Sequence, residues 1–431
     1  MPKDHGIGAS IKRREDVRFL TGAGNYTDDI NIRGQAYVYF LRSDVAHGKL
    51  NKVDTSAASK MPGVVRIFTG ADFAAVGGIP CGWQVTDRHG EPMKEPAHPV
   101  LAQGKVRHVG DPIAAVVADT LEQARDAAEA IELDIQELPA VVNMKAAVQS
   151  GSALVHDDIG TNLCYDWGFV EENKAAVDEA IKNAAHVTTL ELVNNRLVAN
   201  PMEPRVAVGD YSRGTGDHTL FTTSQNPHVI RLLMGAFVLG IPEHKLRVVA
   251  PDVGGGFGSK AMLYPEEIVC LLAARRFERP VKWTAARTES FHTDAHGRDH
   301  QSRVELALDA DYRFLGLNIE TTANLGAYAS TFGTLVPTVM YALITPGQYD
   351  IPAAHARVTG VYTNTAPVDA YRGAGRPEAC YMIERVVEHA ARTLGIDPAE
   401  LRRRNFVRTF PHRSAFGLIY DTGDFLCLLD R

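Results

Sequence analysis

A glycine-rich stretch in the middle of the chain, PDVGGGFGSK from Pro251 to Lys260, constrains the fold more than any other part of the sequence. The preceding LRVVAPDV is rich in β-branched residues and predicts a buried strand, whereas the following YPEEIVCLLAARRF predicts a helix with Pro265 in its first turn. Glycines between a strand and a helix allow the backbone to approach a ligand closely. The stretch is therefore a candidate binding loop, although a glycine-rich surface turn would have a similar composition.

Two nucleotide-binding motifs do not fit this stretch. A phosphate loop needs a glycine directly before its lysine, and a dinucleotide fingerprint that starts at Gly254 needs a glycine five positions later. Ser259 occupies the required position in both cases. The loop therefore predicts a ligand without identifying it.

The composition is that of an ordinary globular protein. The 431 residues are 45% hydrophobic and 23% charged, which allows two or more cores. The formal charge of −7, without any basic run, argues against nucleic-acid binding. The N-terminus has no apolar signal region, and no run of about 18 apolar residues is present. We expect a soluble, cytoplasmic protein without a membrane span.

The cysteines are too scattered for a cluster. Cys81, Cys164, Cys270, Cys380 and Cys427 include no CxxC pair. Their spacing does not build a zinc ribbon or an iron–sulfur cluster within this chain. Buried free thiols are expected instead.

The pattern of elements predicts an α+β protein in three parts. Residues 1–18 form a polar arm, and residues 19–145 contain short strands around the helix LEQARDAAEAI, for which Thr120 is a suitable N-cap. QSGSALVHDDIGTN is expected to link this unit to residues 146–431.

The third part, residues 146–431, alternates strand-like runs with well-marked helices. One helix is expected after a cap at Ser224 or Asn226 and ends at Gly240. Another is expected within RPEACYMIERVVEHAARTLGI. Because a further helix begins at the very end of the sequence, the domain is expected to be incomplete.

A second glycine-containing loop, VDAYRGAGRPEAC, also lies between a strand-like segment and a helix. Arg372 in this loop could bind a phosphate or carboxylate through paired hydrogen bonds. A solvated surface arginine is an equally good interpretation of its position.

Three motifs together resemble a known family. TSQNPH, GGGFGSK and AYRGAGRPEA, in this order, are similar to the molybdopterin-binding large subunit of the xanthine dehydrogenase, aldehyde oxidase and aerobic carbon monoxide dehydrogenase family. REDVRFLTGAGNYTDDI and KVRHVGDPIAAVVADTLEQARDAAE resemble that family's a/b hammerhead domain. The resemblance implies a hammerhead domain over residues 19–145, followed by the first molybdopterin-binding domain, with the second cofactor-binding half absent.

The resemblance also implies the site residues. The residue at Gln225 would hydrogen-bond an oxygen ligand of molybdenum, the ring of Phe257 would lie beside the metal, and Arg372 would complete that wall. The implied cofactor-binding residues are Gln225, Gly256, Phe257, Gly258, Arg372, Gly373 and Ala374.

The implied activity is molybdenum-dependent oxidative hydroxylation of a small molecule, an aldehyde or an N-heteroaromatic ring, with water as the oxygen source. The implied cofactor is molybdopterin, as its cytosine dinucleotide, with molybdenum. Electrons would leave through [2Fe-2S] clusters and FAD on separate iron–sulfur and FAD subunits.

Several departures from the family pattern limit the function. The general-base glutamate of the family lies in the absent half, so no catalytic residue is assignable; a second polypeptide would supply it, or the chain is a truncated, non-catalytic remnant. Ala261 and Met340 stand where purine-oxidising members carry glutamate and arginine. Gly373 replaces the copper-binding cysteine of carbon monoxide dehydrogenases, which makes that activity the weaker alternative.

Two further groups of residues have structural rather than catalytic interpretations. His292, His296 and His300 have helical spacing, but Gly297 interrupts the pattern, so hydrogen-bonding histidines are favoured over a metal site. The pair Glu266–Glu267 is expected to favour the positive end of a helix.

Overall fold

The computed structural model describes residues 6–431. The strands in this range are β1 (Ala36–Arg42), β2 (Gly48–Asp54), β3 (Val64–Thr69), β4 (Lys105–Val106), β5 (Pro112–Ala118), β6 (Glu132–Glu137), β7 (Leu163–Phe169), β8 (His186–Asn194), β9 (Val206–Ser212), β10 (Asp217–Thr222), β11 (Leu246–Val249), β12 (Val281–Thr284), β13 (His300–Leu308), β14 (Phe314–Gly326), β15 (Ala353–Tyr362), β16 (His412–Arg413) and β17 (Ile419–Tyr420). The α-helices are α1 (Asp16–Leu20), α2 (Leu121–Glu129), α3 (Met144–Ala147), α4 (Lys174–Asn183), α5 (Pro227–Leu232), α6 (Pro265–Phe277), α7 (Arg287–Thr293), α8 (Arg376–Leu394), α9 (Pro398–Asn405) and α10 (Phe425–Asp430). Mixed sheets with flanking helices confirm the α+β class.

A seven-stranded sheet joins the two main parts of the chain. Its order is β11-β10-β9-β12-β1-β5-β3, and β1 pairs in parallel with β12 through Ala36 and Val281. The rings of Phe40 and Trp283 meet edge to face across this seam, 6.0 Å apart. The sheet therefore crosses residue 145, although the boundaries 1–18, 19–145 and 146–431 remain predictions.

A five-stranded sheet with the order β7-β15-β14-β13-β8 forms the second layer. One face packs against α8, whose buried side chains include Ile383, Val386 and Val387. The opposite face carries polar side chains along β13, whereas α4 covers part of it at β14, where Gly316 lies against Ala180. This sheet positions the start of α8, and with it the loop that contains Arg372.

Helix termini follow most of the sequence signals. Thr120 accepts a hydrogen bond from the Gln123 amide at the start of α2. The segment that begins at Pro227 ends at Gly240, whose φ is +61°. It is α-helical only to Leu232 and continues as a π-helix, which the sequence did not indicate. Asn226 makes no capping side-chain bond.

One sequence interpretation is corrected by the fold. Only the LRVV part of LRVVAPDV forms a strand, the edge strand β11, and within it only Leu246 is buried because the sheet continues on one side alone. Within the segment expected to link the two units, residues 149–162, His156 and Asn162 are buried. Three cysteines are buried as expected, whereas Cys380 is exposed and Cys427 is partly exposed.

Candidate functional site

The glycine loop connects the end of β11 to the start of α6 and has an unusual backbone. Gly255 and Gly258 have φ values of +93° and +110°, which L-residues with side chains rarely adopt. Phe257 lies between them with a φ of +54°, and 40% of its surface is exposed. A non-glycine residue in this region costs about 1–3 kcal/mol, and such residues cluster at functional sites. The loop therefore presents one aromatic ring on a constrained backbone.

An ion pair between the buried Lys260 and the partly buried Glu203 holds the loop. Lys260 donates to Glu203 Oε2 at 2.9 Å and to the Glu203 carbonyl at 2.8 Å. Glu203 Oε2 also accepts from the Gly254 amide at 2.7 Å. Burial lowers the pKa of Lys260, and the Glu203 carboxylate opposes that shift. Through Glu203, Lys260 at one end of the loop is therefore connected to Gly254 near the other end.

Gln225 lies directly against the glycine loop. Its backbone amide donates to the Lys260 carbonyl at 2.8 Å, and its side-chain Oε1 accepts from the Gly258 backbone amide at 2.8 Å. A Cβ at Gly256 would lie 2.3 Å from that oxygen, so glycine is needed for this contact. Within residues 6–431 the Gln225 Nε2 donates to no acceptor, and the side chain is exposed.

The arginine loop, Tyr371–Arg376, packs against the glycine loop. The Arg372 amide donates to the Phe257 carbonyl at 2.7 Å. A Cβ at Gly258 would lie 2.1 Å from the Ala370 carbonyl oxygen, which is closer than any real contact. The exposed Arg372 guanidinium lies 5.9 Å from the centre of the Phe257 ring.

Positive φ values also shape the arginine loop. Gly373 has a φ of +98°, and a Cβ there would lie 2.6 Å from Pro377. Ala374 has a φ of +38°. A cysteine at position 373 would be strained in this conformation. The structure thus brings Gln225 and the two loops with the other six expected residues into contact, and Gln225, Phe257, Arg372 and Gly373 share one exposed face. The role of all seven residues in binding a cofactor remains a prediction.

Two buried glycines, Gly256 in the glycine loop and Gly375 in the arginine loop, have backbone amides without an acceptor among residues 6–431. Buried backbone amides are nearly always paired. These two amides can donate to a ligand, as can the side-chain amide of Gln225, and Arg372 adds a positive charge. The set therefore fits a polar, anionic ligand such as a pterin with its phosphate.

The glutamate pair beside the loop is more buried than its place in the first turn of α6 suggested. Glu266 pairs with Arg205 and Arg42 at 2.8 and 2.7 Å. Burial alone would raise the pKa of Glu266, but these arginines lower it to about 2. Burial raises the pKa of Glu267 to about 7, against the hydrogen bond from Thr222.

Sequence reasoning missed Glu203 and Arg298, the residues that hold the two loops. Glu203 follows an irregular segment, and Arg298 lies in the histidine-rich segment. Neither has a local motif that signals its partner. The three histidines do not converge on a metal, because within the described range no group of three or more His, Cys, Asp or Glu side chains could hold one.

The chain matches two protein families by sequence. Residues 155–406 match the molybdopterin cofactor-binding domain, and residues 21–139 match the a/b hammerhead domain of aldehyde oxidase and xanthine dehydrogenase. These matches confirm the predicted domain types and their order. Among residues 6–431, no helix is long and apolar enough to cross a bilayer.

Individual relatives extend over the whole chain. It is 35% identical to the nicotine 6-hydroxylase large subunit of Paenarthrobacter nicotinovorans, covering 98% of this chain and 51% of the relative. It is 36% identical to the carbon monoxide dehydrogenase large chain of Hydrogenophaga pseudoflava, covering 97% and 53%. The crystal structure of quinoline 2-oxidoreductase from Pseudomonas putida 86 superposes with a TM-score of 0.91 at 34% identity, covering 100% of this chain and 54% of that one.

The chain spans about half the length of these relatives. Another relative is close to this chain in length. The nicotinate dehydrogenase large molybdopterin subunit of Eubacterium barkeri is 28% identical over 94% of this chain and 90% of the relative. The matched domains, their order and the extent of identity lead to one conclusion. The chain belongs to the xanthine dehydrogenase and carbon monoxide dehydrogenase family and corresponds to the N-terminal half of its molybdopterin-binding large subunit.

Proposed function

We propose that the chain is part of a molybdenum hydroxylase that oxidises an N-heteroaromatic or aldehyde substrate with water as the oxygen source. The reaction would be R–H plus water giving R–OH, two electrons and two protons. The observation that carries this proposal is the convergence of Gln225, Phe257 and Arg372 on one exposed face. The resemblance of the three motifs to the family supports the same assignment.

The loops on this face would each have a defined task. The Gln225 Nε2 is free to donate to an oxygen on the metal, because its Oε1 is already held by Gly258. Amides of Gly256 and Gly375 would donate to the pterin, and Arg372 would bind its negative charge. When bound, the molybdenum cofactor would supply the two-electron oxidation and transfer the oxygen atom derived from water. The cofactor is proposed to be the cytosine dinucleotide form.

The substrate class is proposed from the loops and the relatives. Nicotine 6-hydroxylase and quinoline 2-oxidoreductase are named for N-heteroaromatic substrates, which favours this class. A carbon monoxide reaction would need a thiol at position 373, where glycine lies in a conformation unsuited to cysteine. Ala261 and Met340 also argue against a purine substrate.

The partners are proposed from the chemistry. The scattered cysteines hold no iron–sulfur cluster, so electrons would pass to an iron–sulfur subunit and an FAD subunit. The general base would come from the second cofactor-binding half, carried either on a longer form of this chain or on a separate polypeptide. The near-equal length of the nicotinate dehydrogenase subunit supports such a division. The competing proposal is a non-catalytic remnant that binds cofactor without turnover.

The test is the molybdenum content of the protein purified from its native cells with its associated subunits. Plasma mass spectrometry should find about one molybdenum per chain, together with cytosine nucleotide released by acid and a co-purifying second half. Turnover of quinoline or an aldehyde with a dye acceptor should follow. Molybdenum without a second half or turnover would favour the remnant, and absence of molybdenum would refute both proposals.

A further inference from the structure

Residues 296–300 of the histidine-rich segment support the arginine loop. Residues 296–300 run beneath the arginine loop, from the end of α7 to the start of β13. The amide of Asp369 donates to the His296 carbonyl at 2.8 Å, just before the arginine loop begins. A Cβ at Gly297 would lie 2.2 Å from the Tyr371 Cβ. The segment is therefore packed directly onto this loop.

The backbone of this segment is strained at two adjacent residues. Arg298 and Asp299 have φ values of +64° and +67°, in the left-handed region that side chains disfavour. Gly297 exchanges two backbone hydrogen bonds with Leu197, at 3.0 and 2.8 Å. Arg196 Nε donates to Asp299 Oδ2 at 2.8 Å. Strain of this kind persists only where the surroundings over-determine it.

The strained backbone directs the Arg298 side chain at the arginine loop. Its guanidinium donates to the Tyr371 carbonyl at 3.2 Å and to the Arg372 carbonyl at 2.8 Å. It also pairs with the buried Glu378 at 2.9 Å and lies 4.8 Å from the Tyr371 ring centre. Both members of the ion pair are buried.

These bonds fix two peptide planes. The Tyr371 carbonyl and the Arg372 amide belong to one planar peptide, whose carbonyl is held by Arg298 and whose amide is held by Phe257. The next peptide joins Arg372 to Gly373, and Arg298 holds its carbonyl. Because the carbonyl and amide of a trans peptide point in opposite directions, the Gly373 amide points away from Arg298. Within residues 6–431 that amide has no acceptor, and Gly373 is exposed.

We propose that Arg298 is a positioning residue that orients the Arg372–Gly373 backbone and the Arg372 side chain on the candidate cofactor face. The effect on the loop stands on the contacts alone, whereas the effect on the molybdenum centre rests on the proposed function. Arg298 does not itself contact the cofactor face.

The chain contains a matched control. Arg196 is a part-buried arginine that lies outside this segment and holds it through Asp299 and His296. It also donates to Thr365 and to the Ala366 carbonyl, but not to residues 371–376. Arg196→Lys should therefore perturb the segment without releasing the loop. Arg298→Lys keeps a positive charge beside Glu378 but cannot form the fork that holds two carbonyls.

Limited trypsin cleavage reports the loop directly. Arg372 is followed by glycine and can be cleaved, whereas Arg376 is followed by proline and resists trypsin. In the protein purified with its associated subunits, Arg298→Lys should increase cleavage after Arg372 at least tenfold, with Arg196→Lys close to wild type. If Arg298→Lys does not fold, the charge-free double variant Arg298→Gln/Glu378→Gln takes its place.

The molybdenum centre provides the second readout. The electron paramagnetic resonance spectrum of the dithionite-reduced protein should change in Arg298→Lys and stay unchanged in Arg196→Lys. Equal cleavage in the two variants would overturn the proposal, as would faster cleavage with an unchanged spectrum. A wild-type protein without molybdenum would refute the proposed function, while the cleavage rates would still decide whether Arg298 holds the loop.

Discussion

Replacing Gly258 with alanine should separate the two loops of the candidate site. Gly258 has a φ of +110°, and an added Cβ would lie 2.1 Å from the Ala370 carbonyl oxygen. An alanine with positive φ costs about 1–2 kcal/mol. Since the nearest atom is backbone and not a flexible side chain, overpacking adds about 1–3 kcal/mol more.

The control for this prediction is Gly90→Ala. Gly90 also has a positive φ, +88°, but among residues 6–431 a Cβ there would meet nothing within 4 Å. It should show the conformational cost of about 1–2 kcal/mol alone. The difference between the two variants, about 1–3 kcal/mol, therefore measures the contact between the loops.

Three measurements test this prediction. Urea unfolding midpoints should fall further for Gly258→Ala than for Gly90→Ala, and molybdenum per chain should fall only in Gly258→Ala. A displacement on the order of 1 Å at a catalytic site lowers rates by about 10²-fold, so turnover should fall by that factor. If the two variants match in midpoint and in molybdenum content, the reasoning about close approach is wrong.

Two further changes test the site and its surroundings. Gln225→Ala should lower turnover about 10²-fold or more while the unfolding midpoint changes little, because the side chain is exposed; unchanged turnover would contradict its assignment. Glu267 has a pKa raised from 4.5 to about 7 by burial, so the native state favours the protonated acid and wild-type stability falls as pH rises from about 4.5 to about 7. Glu267→Gln should therefore gain about 3 kcal/mol relative to wild type between pH 4 and pH 8, and a gap in urea midpoint that does not change with pH would disprove this.

The sequence by itself determined the local features of this protein. Glycine runs, proline in the first helical turn and Thr120 as an N-cap act within a few residues, so their spacing fixes loops and helix ends without knowledge of the rest. The order of the three motifs likewise identified the family. These features were sufficient to name Gln225 and Arg372 as candidates.

Only the tertiary structure decided what lies between those local features. The pairing of β1 with β12 joins residues more than 200 positions apart, and Lys260 finds Glu203 57 positions away. Arg298 reaches the Arg372 carbonyl 74 positions away. Such contacts depend on how sheets and loops pack, because hydrogen bonds and ion pairs between distant segments leave no periodic or local trace in the sequence.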